Sequence, residues 1–207
     1  MSESKFIIGV LASGRGTNLQ AIINAVETGI VTAKIGVVIS DKKDAKAIDR
    51  AREHNLTACF VDPKAYPDRV AYDTAVTRAL IEHQVQLVIF AGYMRLITKP
   101  ILEAFPNRII NVHPSLLPAF PGLHAQRQAL VYGAKISGCT VHFIDEEMDH
   151  GPIIAQVSVP VLEGDTEESL SNRILIEEHR LLPRVIQSYA EGKLSVEGRK
   201  VFQIGAI

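Results

Sequence analysis

Asn111 and His113 stand two residues apart in the stretch Asn111-Val112-His113-Pro114-Ser115-Leu116-Leu117-Pro118-Ala119-Phe120-Pro121-Gly122. On an extended chain both side chains point to the same side. One offers amide donors, the other a ring that changes charge near neutral pH, so the pair suits hydrogen-bond donation and proton transfer. Asp149 is the carboxylate that completes such a set, because beside an imidazole it fixes the tautomer and favours the protonated ring. Each residue also has a plainer reading. A lone strand-end histidine is most often a satisfied core residue, and Asp149-His150-Gly151-Pro152 reads on spacing alone as a turn. A second stretch, Ser13-Gly14-Arg15-Gly16-Thr17-Asn18, has the composition of an anion-binding turn. It is neither a Walker loop nor GxGxxG, so a phosphate monoester suits it better than a dinucleotide. Taken alone, a glycine turn there is as often a simple connection.

The elements that must position these residues are legible as an alternation. Apolar runs at 6–12, 33–40, 58–61 and 87–91 read as buried strands, and Ile109-Ile110 ends another. Between them, 19–26, 44–54 and 69–83 read as helices, the last with Val70, Ala71, Ala75, Val76, Ala79 and Leu80 on one face. The fold class is α/β, a doubly wound, mostly parallel sheet. Pro114, Pro118 and Pro121 stop the strand after Ile110 and stiffen the loop that follows. That loop, the glycine turn and residues 92–97 all leave carboxyl ends of strands, where open sheets bind ligands. Further on, 124–132 reads as a helix, and strands at 137–143 and 153–159 lack a helix between them, so they form an antiparallel edge. Asp165 and Glu168 have capping-box spacing at the start of a long helix, which Pro183 should kink before it ends near Gly192. Residues 194–202 suggest a terminal hairpin.

At 207 residues the chain suits one domain: a glycine-loop half over about 1–100, a catalytic half over about 101–193 and a hairpin over 194–207. With 22 basic and 23 acidic residues its net charge of −1 argues against a nucleic-acid surface. Cys59 and Cys139 lack CxxC spacing, which fits a reducing, cytoplasmic setting without a zinc site. No signal peptide and no membrane-spanning run are seen. His54, His83, His142 and His179 read as structural or surface histidines, and no spacing suggests a metal. Ser115 lacks the glycines of a nucleophile elbow.

The motif set resembles a known family. The Asn111–Pro118 stretch, Pro121-Gly122 and Asp149-His150-Gly151-Pro152 resemble the folate-dependent formyltransferases, whose fold is Rossmann-like. Residues 13–22 and Glu177-Glu178-His179 point to the phosphoribosylglycinamide formyltransferase branch of that family. The resemblance runs from about Lys5 to about Lys193. It implies a catalytic set of Asn111, His113 and Asp149, and a substrate-phosphate site at Gly16, Thr17 and Asn18. It also implies a ribonucleotide contact at Glu178, and a folate site at Arg69, Met94, Arg95, Leu96, Ile97 and Asp145. The implied reaction passes a formyl group from 10-formyltetrahydrofolate, a co-substrate, to the amine of glycinamide ribonucleotide in purine biosynthesis. The implied partners are small molecules, in a monomer or homodimer. In that reaction Asn111 and His113 would hold a tetrahedral oxyanion while His113 and Asp149 mediate proton movement. A formyltetrahydrofolate hydrolase sharing the same three residues, or an idle nucleotide-binding module, are the rival readings. His150 stands where related sequences often have a small residue, and Gln126 falls in a variable loop.

Overall fold

The structure, a computed structural model, describes residues 5–205. Seven strands form one mixed sheet: β1 (Ile7–Leu11), β2 (Lys34–Ser40), β3 (Ala58–Phe60), β4 (Leu87–Phe90), β5 (Ile109–His113), β6 (Ile136–Phe143) and β7 (Ile153–Pro160). Their order is β3-β2-β1-β4-β5-β6-β7. β1 runs parallel to both β2 and β4, and β2 runs parallel to β3. β6 and β7 are antiparallel to each other. The helices are α1 (Thr17–Glu27), α2 (Lys46–Glu53), α3 (Arg69–Glu82), α4 (Lys99–Ala104), α5 (Ala125–Tyr132) and α6 (Glu167–Ala190). A separate hairpin pairs β8 (Leu194–Glu197) with β9 (Lys200–Gln203). The doubly wound, mostly parallel sheet with an antiparallel edge is thus the observed architecture. Contacts group the chain into two compact units, one up to Ile110 and one from Asn111 onward.

In the first unit, β1, β2 and β4 bury Ile8, Val10, Leu11, Val37, Val38, Ile39, Leu87, Val88 and Ile89 almost completely. Apolar residues on both faces of a strand require helices on both sides, which the alternating helices supply. Strand order turns between β1 and β4, and the loops leaving those two strands are the glycine turn and residues 92–97. A crevice at such a switch point is where α/β sheets take ligands. The buried face of α3 differs from the expected one. It is Tyr72, Asp73, Val76, Thr77 and Leu80, while Val70 is exposed. Asp73 turns inward because its Oδ2 accepts from Thr98 N–H and Thr98 Oγ1, each at 2.6 Å. The aliphatic stripe stays in contact with the core through Val76 and Leu80, with Ala71, Ala75 and Ala79 half-buried, and Asp73 joins the buried face beside it. α4, begun by Pro100 in its first turn, is a short helix that the apolar pattern does not announce.

In the second unit, β6 is buried along nearly its whole length and α6 packs on β6 and β7. The long helix starts one residue later than expected. Thr166 is its N-cap and forms the capping box with Ser169, not Asp165 with Glu168. Asp165 is unavailable because its carboxylate is gripped by Arg173 at 2.7 and 2.9 Å. That guanidinium, with Ser169 and the Leu162 N–H, holds the Asp165 carboxyl below the usual carboxylate range. Pro183 lies inside α6, which is continuous through it. Among the described residues no helix is long and apolar enough to cross a membrane.

Candidate active site

The second unit brings Asn111, His113 and Asp149 together. β5 carries the first two at its third and fifth residues, so the pleat sends both to one side. His113 is buried, and its Nδ1 lies 3.3 Å from Asp149 Oδ2. Its Nε2 donates to the Phe120 carbonyl at 2.9 Å. Both ring nitrogens therefore face oxygen. A loop carbonyl thus already occupies the outer nitrogen of the imidazole.

The proline loop is fixed from below. Thr140 on β6 is fully buried and donates to the Ser115 carbonyl at 2.7 Å. It accepts from Leu117 N–H at 3.0 Å and from Gln156 Nε2 at 2.9 Å, and Gln156 also donates to the Leu117 carbonyl. Ser115, the weak nucleophile candidate, spends its hydroxyl on the Ala119 and Phe120 carbonyls. Beyond it the chain turns at Phe120 and Gly122, both in the left-handed region. Gly122 N–H then donates to Asp149 Oδ2 at 2.7 Å. Asp149 itself has φ 51°, a conformation that aspartate tolerates better than most residues. A Cβ on Gly151 would collide with the Phe143 carbonyl, so the tight turn after Asp149 admits no larger side chain.

His142 belongs to this group, contrary to the structural role its sequence position suggests. Its Nδ1–H donates to the Phe143 carbonyl at 2.7 Å, leaving Nε2 to accept from Asn111 Nδ2 at 3.2 Å. Nε2 also lies 3.7 Å from Asp149 Oδ1. Burial holds this ring below the ordinary histidine range, against the pull of the Phe143 carbonyl and Asp149. A neutral His142 thus orients the Asn111 amide, and the second amide N–H has no partner among the described residues. A signal for it exists: Thr140 and His142 are polar, and alternation puts them on one face of an otherwise apolar strand.

Two other expected residues of this unit lie elsewhere in it. Asp145 is half-buried and accepts from Glu147 N–H and His150 Nδ1. Glu178 is buried on α6.

The first unit holds the remaining expected residues. Gly16 is the N-cap of α1 at φ 69°, with no side-chain cap and no acidic residue in the first turn. Free N–H groups at the head of such a helix form an anion site by themselves. A Cβ at Gly16 would sit 2.8 Å from Ala47 Cα, so close packing against α2 also demands glycine. Ala47 N–H and Arg50 Nε hold the turn by the carbonyls of Gly14 and Arg15. The turn is tied to the loop after β4. Ser13 N–H donates to the Gly92 carbonyl, and Met94 N–H donates to Ser13 Oγ at 2.9 Å. Arg69 donates to the Leu96 carbonyl at 2.8 Å, and Arg95 stacks over Tyr72. Met94 and Leu96 remain exposed, a rim of apolar side chains on a braced loop. Among the described residues no group of three or more His, Cys, Asp or Glu could hold a metal ion.

Comparisons with known proteins agree in one direction. The formyl transferase family profile matches residues 7–186. The phosphoribosylglycinamide formyltransferase of Bacillus subtilis (strain 168) is 43% identical over 178 residues, 86% of this chain and 91% of that protein. The crystal structure of glycinamide ribonucleotide transformylase 1 from Symbiobacterium toebii matches with TM-score 0.96 and 55% identity, covering 97% of this chain and 95% of that one. The trifunctional purine biosynthetic protein adenosine-3 of Drosophila pseudoobscura pseudoobscura is 43% identical over 196 residues. That match takes in 94% of this chain, which spans 14% of that relative's length.

Proposed function

The chain belongs to the formyl transferase family, and on that premise we propose that it transfers a formyl group from 10-formyltetrahydrofolate to the amine of glycinamide ribonucleotide, a step of purine biosynthesis. The observation that carries the site assignment is the 3.3 Å approach of His113 Nδ1 to Asp149 Oδ2, beside an Asn111 amide oriented by His142. The reaction passes through charge on oxygen. The substrate nitrogen bonds to the formyl carbon, and the carbonyl π pair moves onto oxygen. Asn111 donates its second amide N–H to that oxyanion. A charged oxygen is a stronger acceptor than the neutral Phe120 carbonyl, so it competes for the His113 Nε2–H as well. The attacking nitrogen gives up a proton by way of the Asp149 carboxylate, the member of the pair able to accept one, and that proton passes to the folate N10 as its bond to the formyl carbon breaks. The oxyanion pair then restores the carbonyl on the product amide.

The other residues serve binding. The uncapped head of α1, with Gly16, Thr17 and Asn18, suits the substrate phosphate, and Glu178 suits contact with the ribonucleotide. Arg69, Met94, Arg95, Leu96, Ile97 and Asp145 suit the folate. Formyl transfer with isotopically labelled 10-formyltetrahydrofolate and added glycinamide ribonucleotide tests this reading. Label on the amine is expected. Label released as formate would mean a hydrolase, and no turnover of label would mean an idle binding module.

A further inference from the structure

The loop between β6 and β7 ends in Asp149 and is gripped by a residue from the far end of the chain. Arg199 sits at the turn of the β8–β9 hairpin, and β9 packs against β7. Its Nη2 donates to the His150 carbonyl at 2.6 Å, one peptide beyond Asp149. Its Nη1 lies 3.0 Å from His150 Nε2. The same ring places Nδ1 2.9 Å from Asp145 Oδ2, and Asp145 Oδ1 accepts from Glu147 N–H. Nη1 is also 3.3 Å from Nδ1, so the guanidinium lies against the ring near both nitrogens, while Nδ1–H donates to Asp145. His150 thus bridges a carboxylate at the start of the loop to a guanidinium carried by the hairpin.

We propose that Arg199 is a positioning residue for the Asp149 loop, acting through His150 and Asp145. The inference rests on the proposed role of Asp149, to which it adds a support that touches no substrate. Arg199 hydrogen-bonds neither Asn111 nor His113, and it holds the loop at His150, the residue after the one that Gly122 N–H binds. A charge-assisted bond to a backbone carbonyl sets the position of that peptide, and with it the direction from which Asp149 meets His113. A misplacement of about 1 Å at a reacting group can cost about a hundredfold in rate, so a loosened loop is readable kinetically. Asp145, with both carboxylate oxygens engaged inside the loop, is part of the same brace.

The test compares the wild-type protein with Arg199→Ala, Arg199→Lys and His150→Ala. Two readouts are used: steady-state formyl transfer with 10-formyltetrahydrofolate and glycinamide ribonucleotide, and backbone hydrogen exchange over residues 145–150. Arg199→Ala is expected to speed exchange in that segment and to lower kcat/KM for the folate by about tenfold. KM for the ribonucleotide should stay within about twofold. Arg199→Lys, which still donates to the His150 carbonyl, should recover part of both effects. His150→Ala should fall between Arg199→Ala and wild type, because the carbonyl grip survives. Wild-type kinetics together with unchanged exchange in Arg199→Ala would overturn the inference. A wild-type protein that transfers no formyl group would instead contradict the proposed function, and exchange in the variants would still decide whether Arg199 holds the loop.

Discussion

Asn111 Nδ2 lies 3.2 Å from His142 Nε2, and that nitrogen is the only one of the ring left to accept, because Nδ1–H is spent on the Phe143 carbonyl. The orientation of the catalytic amide therefore depends on His142 staying neutral. His142→Leu should lower kcat by about tenfold to a hundredfold, since the amide loses its aim on the oxyanion. His142→Gln, which keeps an acceptor near Nε2, should recover part of the loss. Steady-state kinetics on the folded variants check both. The same ring predicts a pH effect on stability. Burial holds its pKa below the ordinary value, so under acid the unfolded chain takes up a proton that the folded chain refuses. His142 therefore makes stability fall as pH drops below about 6.5. Denaturant unfolding between pH 8 and 5 should show a shallower decline for His142→Leu than for wild type.

Thr140 predicts a loss of stability. Its hydroxyl serves Ser115, Leu117 and Gln156 at once, in a fully buried place. Thr140→Val keeps the shape and takes this partner from the Ser115 carbonyl and the Leu117 N–H, while Gln156 keeps its bond to the Leu117 carbonyl, at a cost of about 2 kcal/mol. Denaturant unfolding measures it, and a drop in kcat should accompany it because the proline loop carries the Phe120 carbonyl toward His113.

Gly16 predicts a binding defect. Its φ of 69° and its 2.8 Å clearance to Ala47 leave no room for a side chain. Gly16→Ala should cost about 1–2 kcal/mol in stability from the left-handed backbone alone. If the head of α1 holds the phosphate, KM for the ribonucleotide should also rise by about tenfold while kcat for bound substrate changes little. Titration with inorganic phosphate as a competitor checks the anion site independently.

Much of this architecture is written in local pattern. Continuous apolar runs, glycine turns and the missing helix between β6 and β7 announce the sheet and its antiparallel edge. The proline loop announces that the strand stops, but β5 runs on through Asn111 and Val112 to His113, past the expected end at Ile110. What escapes local pattern is set by distant partners. Asp73 enters the buried face of α3 because Thr98, far along the chain, offers it two donors. Asp165 is drawn out of the capping box by Arg173, two helical turns away. His142 looks like a core residue until the tertiary fold brings Asn111 and Asp149 beside it. The Phe120 carbonyl on His113 Nε2 depends on backbone turns at Phe120 and Gly122 that residue types alone do not specify.

The central claim is that the His113–Asp149 pair handles the proton while Asn111 and His113 hold the oxyanion. Single-turnover formyl transfer by His113→Ala and Asp149→Asn, each shown folded by its thermal unfolding, tests it most directly. The account predicts that the chemical step falls by about a hundredfold or more in both, with ribonucleotide binding retained. Near-normal transfer by either folded variant would contradict it.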